Sequence, residues 1–289
     1  MTPIAVIDAH QHFWSEPSVA QYPWMTGDFA ALRKSFLPAD LAPLLAANGV
    51  DGTVAVQSRS SLEESRWLLE TAAESSFVLG VVGWVDLTGP DVEEQISSLR
   101  QAPGGHHLVG IRHQVHDEDD PGWLRRPDVQ AGLRAVEAAG LVYDLLVREQ
   151  QLPAALETAQ ALPSLRFVID HIAKPKIAAG PADPGWEAAL RPFAELDNVA
   201  CKLSGMVTEA DWGRWRPEDL VPYVDKVLGW FGQDRLLFGS DWPVSTLAAG
   251  YEEVILTARS LLGGLPPAAL QAIFGGNAAR LYRLQSQAR

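Results

Sequence analysis

The chain has 289 residues, 47% hydrophobic and 20% charged, with a formal net charge of −13. That length suits two ordinary domains or one α/β barrel of roughly 250 residues, and the apolar share is ample for a large core. The acidic balance argues against nucleic acid or an anionic membrane as partner, because Lys and Arg would be needed to neutralise phosphates; a small anionic substrate held by local cations stays open. Cys201 is the only cysteine, so an intrachain disulfide is excluded and a reducing compartment fits. The N-terminus lacks the basic-then-apolar pattern of a signal peptide, and no apolar run approaches the roughly 20 residues of a membrane span. A soluble, cytoplasmic protein is expected; self-association into a homo-oligomer is left open.

The first element is the run Ile4 to Ile7, strand-like, followed by Asp8-Ala9-His10-Gln11-His12. Residues two apart on a strand share a face, so His10 and His12 can aim both imidazoles into one cavity, onto one metal ion or one substrate. An aromatic, Pro-containing segment over 13–38 follows, with Trp24 and Phe29, and could cap that cavity or simply pack on the rim. The pattern then becomes regular. Helices are predicted over Asp40–Asn48 (closed by Gly49), Ser61–Ser75 (with a capping box from Ser61 to Glu64), Asp91–Arg100, Asp128–Ala139, Gln150–Leu162, Trp186–Leu196 and Leu220–Phe231. Strands are predicted over Gly52–Gln57, Val78–Val85, Leu108–Arg112, Leu141–Val147, Arg166–His171, Val199–Leu203 and Arg235–Asp241. Helices 251–262 and 266–275 end the chain. Eight strands alternating with helices demand parallel pairing and predict one (β/α)₈ barrel spanning residues 1–289.

Active sites of such barrels lie at the C-terminal strand ends. That position holds His10 and His12 on strand one, Arg112 on strand four with His113 and His116 beyond, Asp170 and His171 on strand six, Lys202 on strand seven and Asp241 on strand eight. Lys202 in an apolar strand is costly unless paired, which points to a site role or a buried ion pair. Arg112 could instead pair with Asp86 or Asp170, Asp241 could cap the turn at Trp242-Pro243, and His171 could be a satisfied barrel histidine. Which of His106, His107, His113 and His116 reaches the site is open.

These residues carry a resemblance. Asp8-Ala9-His10-Gln11-His12-Phe13-Trp14, Gly110-Ile111-Arg112-His113, Asp170-His171-Ile172-Ala173-Lys174-Pro175, Cys201-Lys202-Leu203-Ser204-Gly205 and Phe238-Gly239-Ser240-Asp241-Trp242-Pro243 follow one another in the order seen in the amidohydrolase superfamily. Within it the chain resembles the branch that hydrolyses sugar lactones, its L-fuconolactone side preferred over L-rhamnonolactone. The resemblance implies an enzyme of L-fucose degradation that turns a small aldonolactone into its acid, with Asp241 activating water. Superfamily members commonly hold one or two divalent metals, but here strand four ends in Arg112 and Leu145-Leu146-Val147 on strand five offers no ligand. Two metals are not expected. No metal is expected to be required, with one zinc on His10, His12 and Asp241 as the alternative.

The expected catalytic set is therefore Asp241 as base, with His171, Lys202 and Arg112. His10, His12, His113, His116, Trp24 and Trp242 are expected to contact substrate. A metal-dependent decarboxylase or amide hydrolase on the same barrel is the rival reading, and a non-catalytic sugar-acid sensor a more distant one.

Overall fold

The computed structural model describes residues 6–18 and 20–284; the expected strand start at Ile4 and Ala5 lies outside them. Eight parallel strands follow one another in sequence order: β1 Ile7–Gln11, β2 Gly52–Val56, β3 Val78–Gly83, β4 Leu108–His113, β5 Val142–Leu145, β6 Arg166–Ile169, β7 Val199–Leu203 and β8 Leu236–Phe238. They are almost wholly buried and rich in Val, Ile and Leu, as strands covered on both faces must be. Closure comes from the two terminal strands. The Asp241 N–H donates to the His10 carbonyl at 2.8 Å and the His12 N–H to the Trp242 carbonyl at 2.7 Å, so the expected (β/α)₈ barrel forms. Helices α1 Pro38–Asn48, α2 Leu62–Glu74, α3 Val92–Gln101, α4 Pro127–Ala138, α5 Leu152–Ala161, α6 Pro184–Leu190, α7 Met206–Glu209 and α8 Pro217–Phe231 fill the connections. Then α9 Tyr251–Leu261, α10 Pro267–Gln271 and α11 Asn277–Leu281 follow β8.

The barrel interior has two layers. Below, Val54, Val82, Val142, Val168, Ala200 and Leu237 pack together, and Ala278 and Tyr282 from the end of the chain close them off. Two residues further along the strands stand Arg112, Asp144, Asp170 and Lys202, all buried. On β1 the register with β2 shifts between Asp8 and Gln11. A bulge of this kind re-aims side chains. Ile7 and Ala9 therefore join the apolar layer, Asp8 turns outward to accept from the Tyr251 hydroxyl of α9, and His10 comes back inside against β4, β6 and β7.

Five strands stop earlier than their sequence suggests, β2, β3 and β5 by one or two residues, and in β6 and β8 the departure carries a site residue. β6 ends at Ile169, and His171, Ile172, Ala173 and Lys174 all take positive φ, at 54°, 47°, 60° and 53°. Strand alternation would carry His171 to the outer face, since Asp170 points inward. The left-handed turn returns it over the barrel mouth, its ring centroid 4.4 Å from that of His10. Such backbone costs about 1–2 kcal/mol per residue and persists where a site needs it. β8 ends at Phe238, and Asp241 (φ 57°) likewise swings over the mouth.

Smaller departures have local causes. The helix expected over Trp186–Leu196 breaks after Leu190, where Pro192 supplies no N–H and a 3₁₀ turn follows. Ser61 caps α2 by accepting from the Glu64 N–H, but the Glu64 carboxylate does not reciprocate. It accepts instead from the Ser58 and Arg59 N–H groups, at 3.0 Å each, and from the Ser58 and Tyr22 hydroxyls. The aromatic segment contains a 3₁₀ helix, Gly27–Leu32, and is pinned by a bridge between Trp14 and Phe36.

Candidate active site

Asp241 stands at the floor of a cavity of about 200 Å³ in the barrel mouth. Its Oδ1 lies 3.3 Å from His12 Nε2, 3.8 Å from His10 Nε2 and 3.9 Å from His171 Nε2. His12 Nδ1 is 2.7 Å from the Val56 carbonyl, which can only accept, so Nδ1 carries the proton and Nε2 faces the carboxylate. His171 is held through Nδ1 by the Ser204 hydroxyl at 2.9 Å. Gly205 makes room for that ring, since a Cβ there would lie 2.5 Å from Nδ1. Burial alone would raise the Asp241 pKa. The surrounding His171 and His12 imidazoles and the Lys174 ammonium outweigh it and hold the carboxyl below its usual value. Burial drives His10 and His171 well below the ordinary histidine value, so both are neutral at pH 7.

Beneath this floor lies a closed ionic cluster. Lys202 Nζ donates to Asp144 Oδ2 at 2.5 Å and lies 3.0 Å from Asp170 Oδ1. Arg112 Nη1 donates to Asp170 Oδ2 at 2.9 Å, and its Nη2 donates to the Gln57 carbonyl. Two cations match two carboxylates, which is the condition under which charges tolerate burial. The Tyr282 hydroxyl reaches up the barrel axis to both Asp144 oxygens, at 2.9 Å each. Burial pushes Asp144 up to about 6. For Asp170, burial pulls the same way but is overcome by Lys202, His10 and Arg112, which hold that carboxyl well below its ordinary value.

The cavity wall is mixed. Trp24 and Phe29 come from the aromatic segment, and Leu146 from the end of β5. Lys174 and Arg148 bring positive charge; Lys174 Nζ donates to Glu209 Oε1 at 2.7 Å. Arg112 also reaches the wall, and its Nε is buried without a hydrogen-bond partner among the described residues. His116 lies 3.1 Å from Asp117 through Nε2.

Residues 7–284 match the amidohydrolase family model. The chain belongs to the amidohydrolase family. This amidohydrolase is 42% identical over 285 residues to an L-fucono-1,5-lactonase from Burkholderia ambifaria, covering 96% of this chain and 95% of that one. A second L-fucono-1,5-lactonase, from Burkholderia multivorans, is 41% identical, with 98% and 97% covered. A crystal structure of a Burkholderia multivorans amidohydrolase with bound zinc superposes with a TM-score of 0.91 at 39% identity, over 97% of this chain and all of that one.

The donor atoms of this amidohydrolase fit a single divalent ion. His10 Nε2 and His12 Nε2 are 3.2 Å apart, His12 Nε2 and Asp241 Oδ1 3.3 Å, and a tetrahedral ion with bonds of about 2.0–2.1 Å wants roughly 3.3 Å between ligands. His10, Asp170 and His171 form a second converging group.

The structure brings His12, His171, Asp241, Arg112, His116 and Trp24 to one cavity, with His10 directly behind them. Three expected residues sit elsewhere. Lys202 is fully buried below His10 and off the cavity wall, because Asp144 draws it down the barrel axis. Trp242 is 3% exposed and packs against Phe13 and Phe36 at the rim. His113 faces a neighbouring cavity, where it accepts from Trp84 Nε1–H and donates to Glu118 while stacking on Trp123. Of the two carboxylates considered for Arg112, Asp170 is the partner; Asp86 instead accepts from Thr88. Sequence reasoning passed over Lys174, Arg148 and Asp144. Lys174 lies inside the motif after strand six, and Asp144 in β5 invites the same burial-cost argument that singled out Lys202. Arg148, beyond a strand end in a polar loop, gives no such signal.

Proposed function

We propose that this amidohydrolase opens an aldonolactone, L-fucono-1,5-lactone preferred, to the sugar acid. The observation that carries the reading is the Asp241 carboxylate standing among His10, His12 and His171 on the floor of a cavity sized for one sugar ring and lined with hydrogen-bond donors. The full-length similarity to two L-fucono-1,5-lactonases supports the substrate class. A lactone is a cyclic ester, so its hydrolysis needs an activated water and donors for the oxyanion that forms. Asp241 takes a proton from water as the oxygen attacks the carbonyl carbon. When the ring C–O bond breaks, the same proton goes to the departing ring oxygen. The Arg112 guanidinium and the Lys174 ammonium, both from the cavity wall, serve as donors to the oxyanion in this reading, and His12 and His171 orient the water and the base. His116 and Trp24 hold the sugar's hydroxyls and face.

A metal is not required in this reading. Where a divalent ion such as zinc is held, His10, His12 and Asp241 would hold it, and it would supply a bound water whose pKa falls toward about 7. The test is acid release from a panel of aldonolactones by protein of measured metal content, with and without chelator. Turnover of L-fucono-1,5-lactone that survives metal removal is expected. Turnover lost on chelation and restored by zinc would assign the metal to His10, His12 and Asp241. Turnover of no lactone overturns the substrate class and returns the decarboxylase, to be read by carbon dioxide release.

A further inference from the structure

His10 and His12 are adjacent, both buried, and serve the same three-atom donor set, yet their outer nitrogens are held in opposite ways. His12 has the arrangement of a ready ligand. Its Nδ1–H donates to the Val56 carbonyl at 2.7 Å, which fixes the ring and leaves the Nε2 lone pair for whatever lies between it and Asp241. His10 has a cation on each nitrogen. Lys202 Nζ stands 3.2 Å from Nδ1 and Arg112 Nη1 3.3 Å from Nε2, both in hydrogen-bonding geometry. A neutral imidazole has one lone pair and can accept from only one of them. If Lys202 donates to Nδ1, the ring proton sits on Nε2 and no lone pair faces His12. If Arg112 donates to Nε2, the lone pair faces the site but is already taken.

The carboxylate that would favour a metal is present but misaligned. Asp170 Oδ1 lies 3.2 Å from His10 Nδ1, the backing that turns a histidine's Nε2 into a good ligand. That oxygen nevertheless makes no hydrogen bond among the described residues, and Lys202 Nζ stands 3.0 Å from it. Neither cation is free to swing aside. Asp144 anchors Lys202, while Asp170 and the Gln57 carbonyl anchor Arg112.

We propose that Lys202 and Arg112 set the divalent-metal affinity of this barrel by competing with the ion for His10, so that the wild-type site is weak and removal of either cation tightens it. The proposal rests on His10, His12 and Asp241 being the donor set, and not on the identity of the substrate. Removing Lys202 hands the His10 Nδ1–H to Asp170 and presents Nε2 to the site. Removing Arg112 frees the same lone pair from its other neighbour.

The experiment is calorimetric titration of the chelator-stripped protein with zinc ion alone, comparing wild type with Lys202→Met, Arg112→Met and Lys174→Gln. Lys174→Gln also removes a positive charge from the cavity but leaves His10 untouched. Circular dichroism checks the fold of each. If Lys202→Met fails to fold because Asp144 and Asp170 lose a cation, the charge-balanced Lys202→Met/Asp144→Asn pair replaces it. Zinc affinity is expected to rise about 10–100-fold in the Lys202 and Arg112 variants, the range in which groups behind a metal ligand act, and to change little in Lys174→Gln. The gain should vanish when His10→Ala is added. Equal affinity in all proteins overturns the competition, as does an equal rise in Lys174→Gln, which would mean general charge repulsion. A gain that survives His10→Ala shows that the donor set itself is wrong.

Discussion

The upper and lower halves of the barrel interior are built from the same strands two residues apart, and they hold the molecule by different physics. Val142 and Asp144, Val168 and Asp170, and Ala200 and Lys202 each occupy successive inward positions on one strand. The lower position packs against its equivalents and is stabilised by apolar burial; the upper is buried just as deeply but holds charge that survives only through its partners. Buried apolar side chains act almost independently of sequence-distant identity, provided volume is kept. The ionic layer does not: Lys202, Asp144, Asp170, Arg112 and Tyr282 form one connected set. The barrel thus sets its precise residues directly under the cavity and its tolerant ones further down.

The largest effect belongs above both layers. Asp241→Asn keeps the shape of the side chain and removes the base, and positioned proton transfer accounts for about 10²–10⁴ in rate. We expect kcat on L-fucono-1,5-lactone to fall within that range with the melting temperature little changed. A variant with near-normal turnover would remove Asp241 from the mechanism.

The two layers can then be set against each other. Asp144→Asn retains the Tyr282 hydrogen bond but leaves Lys202 under-neutralised, and breaking a buried pair costs about 3–5 kcal/mol. Val168→Ala in the layer below removes only methyl groups, for about 1–3 kcal/mol. Denaturant unfolding should therefore rank Asp144→Asn as the more damaging. The reverse order would mean that the ionic layer is loosely coupled and that water reaches Lys202.

Alternation, helix spacing and the residues at strand ends were enough to read the barrel and to place Asp241, His12, His171 and Arg112 near one another. The path by which side chains reach or miss the cavity is less legible. His171 and Asp241 reach the cavity only because the chain leaves β-geometry at positive φ, and no propensity announces four successive left-handed residues that are not glycine. For Lys202 the sequence leaves a site role and a buried ion pair as alternatives, because the depth of a side chain in a barrel depends on which partner claims it, here Asp144 on a different strand. Trp242 and His113 were misplaced for a related reason: a rim residue and a mouth residue differ by a few ångströms of loop path that the sequence does not encode locally.

The turn geometry offers a smaller effect. Gly205 has φ 61°, and a Cβ would lie 2.5 Å from His171 Nδ1. Gly205→Ala should cost about 1 kcal/mol for the backbone and push the His171 ring from Ser204. Because His171 faces Asp241, kcat should drop more than KM changes. Unaltered kcat with lowered stability would make Gly205 a backbone requirement only and would leave His171 outside the chemistry.

The mildest test lies outside the barrel, where a carboxylate is buried without a cation bonded to it. Glu64 accepts from Ser58, Arg59 and Tyr22 and so fixes the loop that carries Ser58 to the cavity wall. Burial raises its pKa, and the hydrogen bonds from Ser58 and Arg59 only partly offset this. A carboxyl raised on folding stabilises the fold while protonated, fully so below its unfolded pKa of about 4.3, and that contribution is lost as pH rises through the folded value. Glu64→Gln cannot ionise, so the variant escapes the loss while forgoing one acceptor oxygen. The melting temperature of the variant relative to wild type should therefore improve as pH is raised from about 4 towards neutrality, then level off. A difference that is flat across that range would mean that the four donors hold Glu64 ionised at no net cost. The loop would then be held by a charge that its four hydrogen bonds satisfy without a bonded cation.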